Sequence, residues 1–152
     1  MLHTLTSKQV LKTDLATLWD FVSSPKNLAT ITPDHMVFQI LTPLGETKMH
    51  AGQIIEYYIT PFAGIKFHWV TEITHVKDLE YFVDEQRYGP YGFWHHKHFL
   101  KAVQGGVEMT DVLHYKMPFG FLGRLIHYFF VNKKIKEIFN YRHHKLEELF
   151  NK

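Results

Sequence analysis

The chain has 152 residues, 45% of them hydrophobic, a formal net charge of only +2 and no cysteine. That length suits one domain with a substantial core, the small charge argues against a nucleic-acid binder, and the missing thiols exclude disulfides, cysteine nucleophiles and thiolate metal sites. Thirteen Phe and eight Tyr are more rings than a small core needs, which suggests an aromatic-walled interior.

In chain order, residues 3 to 11 alternate loosely as a strand. Asp14 can cap a helix carrying Leu15, Leu18, Trp19, Phe21 and Val22, and Ser24-Pro25 opens a second short helical turn with Leu28 and Ile31. Thr32-Pro33 ends it. Met36, Phe38 and Ile40 alternate as a strand, and a polar stretch with Gly45 and Gly52 leads into a run from Gln53 to Thr60. Ile65, Phe67, Trp69, Thr71 and Ile73 mark another strand, followed by a hairpin over residues 81 to 101. Gln104-Gly105-Gly106 turns into a last strand with Val107, Met109, Asp111, Leu113 and Tyr115 on one side. Pro118 and Gly120 precede a helix approaching thirty residues. Its apolar positions (Leu122, Leu125, Ile126, Phe129, Phe130, Ile135, Ile138, Phe139, Leu146, Leu149 and Phe150) form one broad stripe expected to pack on the sheet. No linker or repeat interrupts the chain, so 1–152 reads as a single domain.

The first ten residues lack a basic start followed by a long apolar run, so no signal peptide is expected. Arg124 and His127 interrupt the most apolar stretch before it reaches the about 20 residues of a membrane span. A cytoplasmic protein without integral membrane association is the expectation.

The order of elements resembles the helix-grip fold of the START-like (SRPBCC, Bet v 1-like) superfamily: an α+β domain in which a curved antiparallel sheet of six to seven strands wraps a long C-terminal helix, with two short helices after the first strand. Ser24-Pro25-Lys26-Asn27-Leu28, Trp69-Val70-Thr71-Glu72-Ile73, Phe82-Val83-Asp84-Glu85-Gln86, Gly89-Pro90-Tyr91, Trp94-His95-His96-Lys97-His98-Phe99 and Pro118-Phe119-Gly120 look like the bacterial ligand-binding SRPBCC domain family. The resemblance implies a cavity between sheet and helix that takes a small, largely apolar molecule. It assigns no reaction.

The residues of the hairpin carry more detail. Side chains two apart on a strand share a face, so Asp84 and Gln86 join Trp94, His96 and His98 on the side with the large aromatic. Burying such polar groups alone costs about 1 to 3 kcal/mol each, so they need partners or a ligand. A two-residue Gln104-Gly105 turn brings His98 opposite Asp111 and Trp94 opposite Tyr115; a loop at Gly89-Pro90 brings Asp84 opposite His96 and Phe82 opposite His98. Each imidazole then has a carboxylate neighbour that can fix its tautomer and raise its pKa.

Three readings of the cluster follow. In the first, Asp84, Gln86, His96, His98 and Asp111 are the polar end of a pocket whose apolar wall is Trp69, Trp94, Tyr115, Met117 and Phe129. In the second, His96 or His98 is a general acid or base oriented by Asp84 or Asp111, in a lyase, cyclase or hydrolase acting on a lipid-like or polyketide-like substrate. In the third, the groups are a hydrogen-bonded core network that sets strand register, and the sheet edge or helix binds a partner. His96-x-His98 has a spacing compatible with a divalent metal, but the motif is short and the chain rich in histidine; no metal and no cofactor are expected. A small hydrophobic ligand is the expected partner, with no nucleic acid, and the chain should be a monomer or weak homodimer. Arg124, Lys133, Lys134, Lys136, Arg142 and Lys145 could meet nucleic acid or an anionic membrane but, diluted by Glu137, Glu147 and Glu148, read as a solvated helix face. Phe119, Phe121, Leu122, Phe129 and Phe130 could enter a membrane interface but at helical spacing over a sheet are expected as core and pocket lining.

Overall fold

The computed structural model describes residues 1–43, 45, 48–62 and 64–152. Seven strands form one antiparallel sheet: β1 (His3–Leu11), β2 (Phe38–Ile40), β3 (Gln53–Phe62), β4 (Ile65–Lys77), β5 (Tyr81–Tyr88), β6 (Phe93–Val103) and β7 (Gly106–Lys116). Their order across the sheet is β1-β7-β6-β5-β4-β3-β2. Between β1 and β2 lie helix α1 (Leu15–Val22) and a short 3-10 turn at Pro25–Leu28. The Asp14 carboxylate starts α1 by accepting the Thr17 amide at 2.9 Å.

The hairpin registers are those the turns imply. Phe82 faces His98 and Asp84 faces His96 across β5 and β6, while His98 faces Asp111 and Trp94 faces Tyr115 across β6 and β7. Gly105, with φ of +89°, supplies the left-handed backbone that the tight β6–β7 turn needs. Register shifts in the β4–β5 ladder between Val70 and Thr71 and between Ile73 and His75 bend the sheet around its contents.

The C-terminal helix runs from Gly120 to Phe150, but in three registers: α2 (Gly120–Ile126), a π turn (His127–Val131) and α3 (Asn132–Phe150). Asn151 ties its end to β1, accepting the Lys12 amide at 2.8 Å through Oδ1 and donating to the Val10 carbonyl at 3.3 Å. The single broad stripe expected from the sequence does not hold over this length. A π turn takes up one extra residue, which rotates the faces on either side of it by about 100°. Ile135, Phe139 and Leu146 of α3 pack on the sheet, whereas Leu122, Leu125, Ile126, Phe129 and Phe130 are exposed. The candidate core residues Phe119 and Phe121 are exposed as well.

The core comes in two apolar blocks. One is built from Ile55, Tyr57, Trp69, Ile73, Leu113, Tyr115, Ile135 and Phe139 with their neighbours. The other is built from Leu11, Leu18, Trp19, Phe82, Leu100, Val107, Met109 and Leu146 with theirs. Three long elements run through both: β6 from Trp94 to Leu100, β7 from Tyr115 to Val107, α3 from Phe139 to Leu146. What lies between the blocks on those elements is polar.

Candidate functional site

His96, His98 and Asp111 are 3%, 6% and 5% exposed, and with Asp84 of β5 and Arg142 of α3 they form a belt across the middle of the core. His98 is clamped on both ring nitrogens, its Nε2 2.7 Å from Asp84 Oδ2 and its Nδ1 2.8 Å from Asp111 Oδ1. Two donors facing two carboxylates define an imidazolium. Burial pulls the His98 pKa down, but the hydrogen bonds to Asp111 and Asp84 outweigh it and raise the pKa above the ordinary value.

His96 is held differently, although its ring centroid is only 3.8 Å from that of His98. Its Nε2 donates to the same Asp111 Oδ1 at 3.1 Å, while Nδ1 stands 3.6 Å from Asp84 Oδ2. Burial, reinforced by the neighbouring His98 charge, lowers its pKa, so this imidazole is neutral and its Nδ1 lone pair is free of a hydrogen bond. Burial by itself would raise both carboxyl groups; hydrogen bonds from the histidines more than reverse this and hold Asp84 and Asp111 ionised. Arg142 brings its guanidinium within 3.9 Å of Asp111 and 5.5 Å of the Phe139 ring centre. Two carboxylates, one imidazolium and one guanidinium sum to zero charge, the condition under which a buried ionic cluster is tolerable.

A cavity of about 160 Å³ abuts this belt. Of the expected site residues, Trp69, Asp84, Trp94, His96 and His98 line it, together with Thr71, Phe82, Ile138 and Arg142. Asp111 sits behind the histidines and positions them. The others have different posts. The Gln86 amide braces the β5–β6 turn, donating to the Tyr91 carbonyl at 2.7 Å and accepting the Tyr91 amide at 3.2 Å, so it is not an anchor facing the cavity. Tyr115 is buried and its hydroxyl bonds His127 at 2.8 Å. Met117 and Phe129 line a separate outer groove, which corrects their assignment to the inner wall; Phe129 is 64% exposed because the π turn faces it away from the sheet.

Sequence reasoning missed Arg142 by grouping it with the surface cations of the last helix. The signal was present: it stands three residues after Phe139 and four before Leu146, in the middle of the buried stripe. Its Nε and the Nε1 of Trp69 are buried with no hydrogen-bond partner among the described residues. Two donors without acceptors border one cavity.

Asp84, His96 and His98 each offer a donor atom within 4.8 Å of the others, compact enough for a divalent cation. Such an ion would have to displace the proton that His98 shares with Asp84, and the cluster is charge-neutral without it.

No family model matches the sequence, and no curated protein matches it. Solved structures do match in fold. A protein from Chromobacterium violaceum, CV1439, is similar with a TM-score of 0.73 at 13% identity, covering 98% of this chain and 97% of that one. Ms6760 from Mycobacterium smegmatis gives 0.69 at 16% identity over 96% and 89%. The structure of Ara h 8.0201 gives 0.66 at 14% identity over 97% and 99%. At these identities the likeness speaks for architecture alone, and with the curved seven-stranded sheet and its long C-terminal helix it shows that the chain has the α+β helix-grip fold.

Proposed function

We propose that the protein reversibly binds a small, largely hydrophobic molecule with one polar end, for carriage or sensing. The observation that carries this reading is the pairing of an aromatic-walled cavity with two buried unpaired donors, Trp69 Nε1–H and Arg142 Nε–H, at its border. A buried polar group without a partner is costly, and a ligand oxygen relieves that cost. Size and charge narrow the class. A volume of about 160 Å³ is close to cavities of about 150 Å³ that take up benzene, and well below drug-sized pockets. The belt is already neutral, so an uncharged carbonyl or hydroxyl suits it better than a carboxylate. A single ring bearing such a group fits both criteria.

Acetophenone and ethylbenzene test this, having similar shape with and without the oxygen. Acetophenone at saturating concentration should raise the Tm, by about 2.7 kcal/mol of stability at 100 times Kd, and ethylbenzene by clearly less. Ile138→Trp, which fills the cavity, should abolish both effects. The reading fails if single-ring ketones and phenols all leave Tm unchanged and native mass spectrometry of protein from its own cells finds no adduct.

A rival reading, an enzyme of lyase, cyclase or hydrolase type, draws on one observation: Asp111 fixes the Nε2–H tautomer of a neutral His96 and leaves Nδ1 as a free base. His96→Gln separates the two. A carrier loses affinity, whereas an enzyme keeps affinity and loses turnover.

A further inference from the structure

The apolar side chains left exposed on the last helix form one continuous face, bordered by more cations than carboxylates. Phe119, Phe121, Leu122, Tyr128, Phe129 and Phe130 are exposed by 58 to 77%. A contiguous patch of this kind on a folded domain marks an interaction surface. It is held outward by specific contacts. Gly123 lets α2 press on its own approach, since a Cβ there would overlap the Pro118 carbonyl. Val131 is buried, and His127 stacks on His3 with ring centres 3.6 Å apart while bonding the Tyr115 hydroxyl. These contacts occupy one side of the segment and leave the aromatic side facing water.

Between Asp111 and Glu137 the chain holds no carboxylate, whereas Lys116, Arg124, Lys133 and Lys136 supply positive charge, in a protein whose net formal charge is only +2; Lys134 is paired with Glu137 at 3.1 Å and adds none. Arg124, Lys133 and Lys136 are exposed beside the aromatic side chains. We propose that residues 116–136 dock the protein on the surface of an anionic phospholipid bilayer. The aromatic and leucine side chains enter the boundary between headgroups and acyl chains, and the cations meet lipid phosphates. No helix among the described residues is long and apolar enough to cross a membrane, so the attachment is peripheral. A second copy of the chain is a poorer occupant, because a two-fold contact sets this cationic face against itself. The groove beneath the patch shares Tyr91 with the inner cavity, but the docking does not depend on that cavity being filled.

Co-sedimentation of the full chain with vesicles tests the proposal. The protein should pellet with equimolar phosphatidylcholine and phosphatidylglycerol at low salt, weakly with phosphatidylcholine alone, and less with either at high salt. Arg124→Glu with Lys133→Glu should weaken binding on the order of 25-fold or more, at about five-fold per cation lost. Phe129→Ser with Phe130→Ser should abolish it while the circular dichroism of the fold stays unchanged. Phe129→Trp adds an exposed indole to three that are largely shielded, and its emission should shift to the blue on anionic vesicles. The proposal is overturned if neither vesicle binds the protein, if binding is indifferent to both double variants, or if sedimentation velocity finds a dimer that the double serine variant returns to monomer.

Discussion

The polar belt in the core and the aromatic face of α2 and the π turn are mirror departures from the usual division of side chains between interior and surface. One buries four charges and a neutral imidazole; the other exposes a run of rings. The belt is tolerable because every charge has its opposite within the cluster, while the face has no such internal compensation and needs something outside the chain. A departure closed on itself stabilises or tunes a site, and one left open points to a partner.

Removing a charge from the closed cluster should have the largest effect. Asp111→Ala leaves the Arg142 guanidinium without its carboxylate, takes one of the two carboxylates from the His98 imidazolium and gives the buried cluster a net positive charge, which should cost about 3 to 5 kcal/mol in urea denaturation. A loss below about 1 kcal/mol would mean that the belt is solvated and that its resemblance to a sealed network is false.

The two histidines sharpen the same point through pH, because their shifts have opposite signs. His98 has a raised folded pKa, so its contribution is complete below the unfolded value of about 6.5 and is lost as pH rises through the folded one. His96 has a lowered folded pKa. As pH falls below about 6.5 the unfolded chain gains a proton that the native state resists, and stability declines on the acid side. Together they place a stability maximum near pH 6.5. His3, His114 and His127 are also lowered, each mainly by burial, and add to the acid slope. Urea midpoints across pH should show His98→Gln flattening the alkaline limb and His96→Gln reducing the acid limb. If both substitutions altered the same limb, the assignment of the charge to His98 would be wrong.

Gln86→Ala probes a polar group that the sequence put in the belt and the fold uses in a turn. Losing two hydrogen bonds to the Tyr91 backbone should cost about 1 to 2 kcal/mol and leave acetophenone binding intact. A loss of binding larger than the loss of stability would return Gln86 to the site.

The difference between what was legible and what was not follows from what periodicity reports. Tight turns at Gly89-Pro90 and Gln104-Gly105 with a two-residue repeat determine which side chains oppose each other, so the His98–Asp111 and Asp84–His96 pairings could be read from the chain. The helix-grip architecture came from the resemblance that the order of elements carries, and the alternation supplied its strands. Periodicity does not say what lies opposite a stripe. Phe129 and Phe130 satisfy a helical repeat as well as Phe139 does, but a π turn and the end of the sheet separate them, and only Phe139 finds a surface to cover. Arg142 was hidden by the reverse error, a charge read as surface although its spacing put it in the buried stripe.

The smallest effect is the most diagnostic for the outer face. Phe129→Ser removes a ring that is 64% exposed and touches little that is buried, so stability should change by no more than about 0.5 kcal/mol. Solubility should rise, because a contiguous apolar patch shrinks. The same substitution at Phe139, 7% exposed beside His96, should cost about 3 to 5 kcal/mol, as large core truncations do. The pair of measurements isolates position from chemistry: one residue type on one continuous helix, on either side of a π turn. If Phe129→Ser also cost several kcal/mol, the ring would be covered in solution by the protein itself, and the face would join the core as a region closed on its own contacts.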